Sequence, residues 1–270
     1  MKRVDLASDG HPAGDTVATG FASVDRWLGG GIRRGDLVVL GGDVGSGKSA
    51  LALAMALRMA QAGTSVAFLT GEMTAERVME RALALEGRVR VDELRGGRLD
   101  ELARAAVGAA AVRLRDASPR VEPLPSASLD ALRTRIRELE CQVIVVDSLQ
   151  SCAMGEGAQE ELLASAVRAL KAAALDLDVT VLVTAQLPRW ERARTDPRPT
   201  LEDFGALGTV KQLADVVLAI YREEMYTPGY GVEGATELLV RKNRNGTTGY
   251  LDLFFYKQWL RFEDMLDPDR

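Results

Sequence analysis

The stretch Gly42-Asp43-Val44-Gly45-Ser46-Gly47-Lys48-Ser49 has the spacing G-x-x-x-x-G-K-[ST]. Glycines at these places let successive backbone N–H groups turn inward and cradle phosphate oxygens. A helix expected to begin near Lys48 adds the positive end of its dipole. In such a loop the lysine reaches the β- and γ-phosphates and the hydroxyl of Ser49 ligates Mg²⁺. Gly42 through Ala50 therefore form the candidate binding segment for ATP and Mg²⁺. An apolar run, Leu37–Leu40, leads into the loop, and an apolar-periodic segment, Ser49–Ala62, follows it.

Outward from this loop, apolar runs alternate with helical patterns, the signature of a parallel sheet flanked by helices. Strands are expected at Leu37–Leu40, Ser65–Leu69, Val143–Val146, Thr180–Thr184 and Val216–Tyr221. Glu237–Lys242 and Gly249–Tyr256 flank an Asn245-Gly246 turn signal and read as a C-terminal antiparallel hairpin. Helices are expected at Ser49–Ala62, Thr74–Leu85, Leu99–Ala111, Leu129–Leu139 and Glu160–Asp176. Pro188–Thr209, with three prolines and four arginines, reads as a long functional loop. The predicted fold class is α/β, a mostly parallel central sheet with helices on its faces. Residues 1–18 read as a flexible lead-in and residues 19–270 as one domain, without internal repeat or linker.

A second acidic site is expected where Val143-Ile144-Val145-Val146 runs into Asp147, a carboxylate at the C-terminal edge of a buried strand. Asp147 would hold the metal through water; an aspartate after a strand also serves as a helix cap. Hydrolysis needs a group that orients or deprotonates water. Glu72, after Ser65–Leu69, fits that role or that of a first-turn residue favouring a helix dipole. Gln186, just past Thr180–Thr184, fits a γ-phosphate sensor or an exposed loop residue.

Bulk properties narrow the remaining classes. A formal charge of −5 argues against a wholly basic nucleic-acid coat, although a local basic strip is compatible with it. Two cysteines, Cys141 and Cys152, are too few for a disulfide framework. No run approaches a membrane span and the N-terminal residues lack a secretory signal, so a cytosolic location is expected.

Several blocks together resemble the C-terminal ATPase domain of the DnaB-family replicative DNA helicase, from about Thr19 to Phe262. Besides the phosphate loop they are TGFASVDRWLGGGIRRGDLVVL, FLTGEMTAERVMERAL, VIVVDSLQ, LKAAALDLDVTVLVTAQLPR, ADVVLAIYREEMY and RKNRNGTTG. The resemblance implies a RecA-like core and an ATP-driven motor on single-stranded DNA with 5′→3′ polarity. It also implies a homo-oligomeric ring, usually of six subunits. Glu72 matches the family's catalytic glutamate and Asp147 its metal-site aspartate. Gln186 matches the glutamine that couples γ-phosphate to the DNA-facing loops, and Arg81 an arginine near the adenine. Lys242 and Arg244 match a pair that reaches into the neighbouring subunit's ATP site. An arginine supplied in this way is worth ~10³–10⁵ in rate.

Two departures set limits on the resemblance. Only some 18 residues precede Thr19, too few for the family's N-terminal domain and linker helix, which weighs against primase or loader contact. At the DNA, the basic loop Arg189, Arg192, Arg194 and Arg198 is followed by Asp203-Phe204-Gly205-Ala206-Leu207-Gly208. The family has Asp-Leu-Arg-Glu-Ser-Gly there, so Gly205 replaces an arginine and Ala206 a glutamate. Backbone N–H groups from Gly205 to Gly208 remain candidate phosphate donors, with Lys211 as a nearby cation. The competing expectation is a regulatory or accessory ATPase of the RadA/KaiC-like type.

Overall fold

A computed structural model describes residues 14–187, 194–227, 229 and 231–265. Its strands are β1 (Thr16–Val17), β2 (Ile32–Arg33), β3 (Leu37–Gly42), β4 (Val66–Thr70), β5 (Arg120–Pro123) and β6 (Val143–Asp147). They continue with β7 (Thr180–Gln186), β8 (Val216–Tyr221), β9 (Ala235–Asn243), β10 (Gly249–Tyr256) and β11 (Arg261–Asp264). The helices are α1 (Ala22–Trp27), α2 (Lys48–Gln61), α3 (Ala75–Gly87) and α4 (Val91–Arg95). After them come α5 (Glu101–Asp116), α6 (Leu129–Leu139), α7 (Gln159–Leu177) and α8 (Thr209–Leu213).

Nine strands form one sheet in the order β11-β10-β9-β8-β3-β7-β6-β4-β5. Every pair from β8 to β5 is parallel. The pairs β8–β9, β9–β10 and β10–β11 are antiparallel. The strands read as continuous apolar runs because both faces are covered. In β3, Val38 and Leu40 join the core on the α2 and α3 side. Leu37 and Val39 join the core on the α6 and α7 side. The α/β expectation and the antiparallel hairpin across Asn245-Gly246 both hold.

Three of the helices, α3, α5 and α6, start at side-chain caps. Thr74 accepts from the Arg77 N–H, Asp100 from the Ala103 N–H and Ser128 from the Ala131 N–H. The Asp100 cap is why α5 starts at Glu101 instead of Leu99. Its C-terminal end extends past the expected Ala111, to Asp116.

Several elements escaped the sequence pattern. β5 is a short edge strand with Arg120 and Pro123 exposed, and β11 carries Arg261, Glu263 and Asp264. Neither has an apolar run. Thr16 and Val17, inside the expected lead-in, pair antiparallel with β2. The described part of the Pro188–Thr209 loop contains 3₁₀ turns at Leu201–Phe204 and Ala206–Gly208. Cys141 and Cys152 are buried and free, and burial pushes the Cys152 thiol up to about 12. Among the described residues, no helix is long and apolar enough to cross a membrane.

The N-terminal edge of the parallel strands is tied by a buried carboxylate. Asp215, 5% exposed, accepts from the Leu37 N–H at 2.8 Å and from Lys171 Nζ at 2.5 Å. Arg244 Nη1 donates to its other oxygen at 3.0 Å. Removing one member of a buried ion pair strands the other charge away from water. Asp215→Ala should therefore lower the free energy of unfolding by about 3 kcal/mol, read as a lower urea midpoint at unchanged slope.

Candidate functional site

Because β3, β4, β6 and β7 run parallel, their C-terminal ends share one edge, and the loops leaving that edge hold the chemistry. The phosphate loop leaves β3 and enters α2. Gly45 and Gly47 have φ of 79° and 104°, in the left-handed region that glycine adopts without a steric penalty. Gly47 is also packed tightly, since a Cβ there would lie 2.8 Å from Phe262 Cζ. Phe262 stacks on Phe255 at 4.3 Å between ring centroids, so β10 and β11 brace the loop.

Lys48 Nζ donates to the Asp43 carbonyl at 2.9 Å, across the loop's own mouth. Burial lowers the Lys48 pKa, and the carboxylates of Glu72, Asp147 and Asp43 oppose that shift. An ammonium so placed favours the arrival of polyanionic phosphate.

Asp147, at the end of β6, is 1% exposed. Its Oδ1 accepts from Ser49 Oγ at 3.0 Å and from Thr184 Oγ1 at 2.6 Å. Its Oδ2 is buried without a hydrogen-bond partner. Burial is the first cause of its raised pKa; the bond from Thr184 lowers it and the nearby Glu72 charge raises it. The Asp147 carbonyl accepts from the Gly71 N–H at 2.6 Å, tying the turn that bears Glu72 to β6.

The structure brings most of the expected residues together. Val44, Gly45, Gly47, Lys48, Ser49, Ala50, Glu72, Arg81, Asp147 and Gln186 line one cleft of about 350 Å³. Gln186 ends β7, and its backbone is held on both sides by one side chain. Gln150 Nε2 donates to the Gln186 carbonyl, and the Gln186 N–H donates to Gln150 Oε1, each at 3.0 Å.

Lys242 and Arg244 are elsewhere. Strand β9 runs antiparallel to β8, with Asn243 opposite Val216, so its end lies at the N-terminal edge of the parallel strands. The six-residue strands β3 and β8 alongside it each span roughly 17–20 Å, which separates both cations from the phosphate loop of their own chain. Lys242 Nζ donates to the carbonyls of Lys211 and Gln212 at 2.6 and 3.2 Å. Arg244 holds Asp215 and donates to the Gln212 carbonyl at 2.7 Å.

In the candidate DNA loop, Arg189 and Arg192 lie outside the described residues. Arg194 grips both oxygens of Asp203 at 2.8 and 2.9 Å. Arg198 does the same with Glu237 at 2.5 and 2.7 Å, and its guanidinium pKa is raised by that pair. Lys211 pairs with Glu202. Ala206 is fully buried, so its side chain faces no solvent. Of the amides expected to serve phosphate, that of Leu207 donates to Glu160 Oε2 at 3.1 Å and that of Gly208 to the Gly205 carbonyl at 3.0 Å. Each described cation of this face thus has an acid of the same chain beside it.

Sequence reading missed four contributors. Thr184 and Ser148 bond the two acids, Gln150 clamps Gln186, and Arg222 donates to the Gly45 carbonyl at 3.2 Å. Arg222 is 3% exposed and stacks over Phe255. Available signals were a hydroxyl within an apolar strand for Thr184, and adjacency to Asp147 for Ser148 and Gln150. For Arg222 it was a cation directly after the run Val216–Tyr221.

Comparison with known proteins fits this geometry. The family model of the DnaB-like helicase C terminal domain matches residues 16–264. The replicative DNA helicase DnaB of Geobacillus stearothermophilus is 31% identical over 266 residues, covering 95% of this chain and 58% of the relative. The replicative DNA helicase DnaC of Bacillus subtilis is 30% identical, covering 92% of this chain and 56% of its own. This chain therefore spans a little over half the length of these curated relatives. Among solved structures, a DnaB-like replicative helicase superposes with a TM-score of 0.90 at 22% identity, over 97% of this chain and 65% of the other. A KaiC-like protein from Pyrococcus horikoshii gives 0.64 at 16% identity, over 90% and 96%. These two likenesses show the fold.

The burial of Lys48 yields a prediction with two readouts. A lysine whose folded pKa is depressed destabilises the native state while protonated, and that cost fades as pH rises toward the unfolded-state pKa. Lys48→Met should abolish binding of a fluorescent ATP analogue at millimolar protein while leaving the thermal midpoint at neutral pH unchanged or higher. Retained nucleotide binding would remove the loop from the site.

Proposed function

The chain belongs to the DnaB-like helicase C-terminal domain family, and from that premise we propose that it is the ATP-hydrolysing motor domain of a DNA helicase. In this reading it works as a ring of copies, usually six, translocating 5′→3′ on single-stranded DNA. The observation that carries the reading is the division of its catalytic groups. Lys48, Ser49, Glu72, Asp147 and Gln186 share one cleft, while Lys242 and Arg244 lie at the opposite edge of the same sheet. A copy docked edge to edge could bring its Arg244 to that cleft, which makes turnover depend on assembly.

Within the cleft the roles follow from the atoms present. The inward amides of residues 44–49 and the Lys48 ammonium hold the β- and γ-phosphates. Arg81 lines the same cleft at the nucleoside end and connects it to a second depression. Glu72 accepts the proton of the attacking water, and Gln186 senses the γ-phosphate at the root of the loop that carries Arg194 and Arg198. Ser49 and Asp147 fit Mg²⁺: both offer hard oxygen donors, and Asp147 Oδ2 is a buried oxygen without a partner. Mg²⁺ bound there would neutralise charge on the phosphate oxygens.

A second reading, a regulatory or accessory ATPase without unwinding activity, is favoured by one observation. Arg194, Arg198 and Lys211 are each paired with a carboxylate of their own chain. DNA phosphates would have to displace those acids, which reduces the gain from each contact.

The two readings separate in one titration. ATP hydrolysis is measured with and without single-stranded DNA over a salt series, with particle size followed in parallel. The motor reading predicts stimulation that fades with salt, and a binding slope of about −0.7 per phosphate contacted. Hydrolysis by an assembled ring that ignores DNA at every salt concentration would favour the regulatory reading.

A further inference from the structure

Glu72 sits on the turn after β4, and its side chain is exposed. A flexible carboxylate on a turn is a poor base unless something holds it, because proton transfer requires a fixed distance to water. Among the described residues, the hydrogen bond to that carboxylate comes from Ser148. Its Oγ donates to Glu72 Oε1 at 2.6 Å, and Ser148 is 1% exposed.

Ser148 is itself tightly located. It follows Asp147 directly, and its carbonyl accepts from the Ser151 N–H at 3.1 Å and from the Cys152 thiol at 3.6 Å. The alternative neighbour for its hydroxyl is Ser151 Oγ, at a longer 3.5 Å. Across the same junction Gly71 packs so tightly that a Cβ would lie 2.3 Å from Ser151 Cβ. The turn bearing Glu72 is therefore pressed onto the segment bearing Ser148, and the hydroxyl reaches Oε1 from a rigid base.

We infer that Ser148 is a positioning residue for the hydrolytic step: its hydroxyl anchors Oε1 of Glu72 and so leaves Oε2 to accept the proton of the attacking water. This rests on the reading of Glu72 as the base. Ser148 touches neither phosphate nor water in this scheme and acts through Glu72. The geometry also links the base to the metal-site strand, since Ser148 and Asp147 are adjacent in β6 and its continuation.

The test compares Ser148→Ala, Ser148→Thr and Glu72→Gln, together with the Ser148→Ala/Glu72→Gln double variant. Loss of one hydrogen bond to a positioned base should lower kcat roughly ten- to hundredfold. KM for ATP, the affinity for a fluorescent non-hydrolysable ATP analogue and the thermal midpoint should not change. Ser148→Thr keeps the hydroxyl and should recover most of the turnover. In the Glu72→Gln background, Ser148→Ala should cause no further loss, because both changes remove the same unit. Wild-type kcat in Ser148→Ala beside a crippled Glu72→Gln would overturn the positioning role alone. An equal extra loss in the Glu72→Gln background would also overturn it, since Ser148 would then act independently. Full turnover in Glu72→Gln would instead remove the base assignment on which the inference stands.

Discussion

The Asp147 carboxyl group and its peptide carbonyl hold the catalytic edge together. Oδ1 receives hydroxyls from α2 and from β7, while the carbonyl receives the amide of Gly71. Three separate segments, bearing Lys48, Gln186 and Glu72, are thus tied to one residue at the end of β6. Burial makes that arrangement costly to ionise, as the raised pKa of Asp147 records. The bonds from Ser49 and Thr184 offset part of the cost, and a divalent cation at Oδ2 would offset more. The site is organised for charge that arrives with the nucleotide.

The second constraint is the reversal of strand direction at β8. From β3 to β8 the strands of the nine-stranded sheet run parallel and deliver their loops to one edge; β9 runs back and delivers Lys242 and Arg244 to the other. There Asp215 joins β3, α7 and the hairpin turn through Leu37, Lys171 and Arg244. The same carboxylate therefore stabilises the fold and holds the arginine proposed to serve a neighbour. Arg244 remains about half exposed despite that bond, so it is presented from a fixed base.

Much of this was legible in the sequence because the decisive signals are local. The phosphate loop has an exact spacing, and buried parallel strands announce themselves as apolar runs ending in a charged or amide residue, as at Asp147 and Gln186. Elements without that signature were not legible. β5 and β11 owe their strand conformation to pairing at a sheet edge, and α4 is a short helix with no buried residue. The long-range bonds of the site were equally hidden. Ser148 with Glu72 and Arg222 with Gly45 join residues 76 and 177 positions apart, which no periodicity encodes. The loop arginines read in the sequence as a basic strip facing DNA, yet the folded chain supplies Asp203 and Glu237 as partners of the two described ones, Arg194 and Arg198.

The most direct test of the divided site mixes two inactive variants, Lys48→Ala and Arg244→Ala, and follows ATP hydrolysis against their ratio. Each alone should be nearly silent, since every interface lacks one essential cation. At equal amounts, turnover should return to about a quarter of the wild-type rate, the share of complete interfaces expected from random mixing in a ring. Silence at every ratio, with mixed assemblies confirmed by mass, would contradict the account and return Arg244 to a purely structural role beside Asp215.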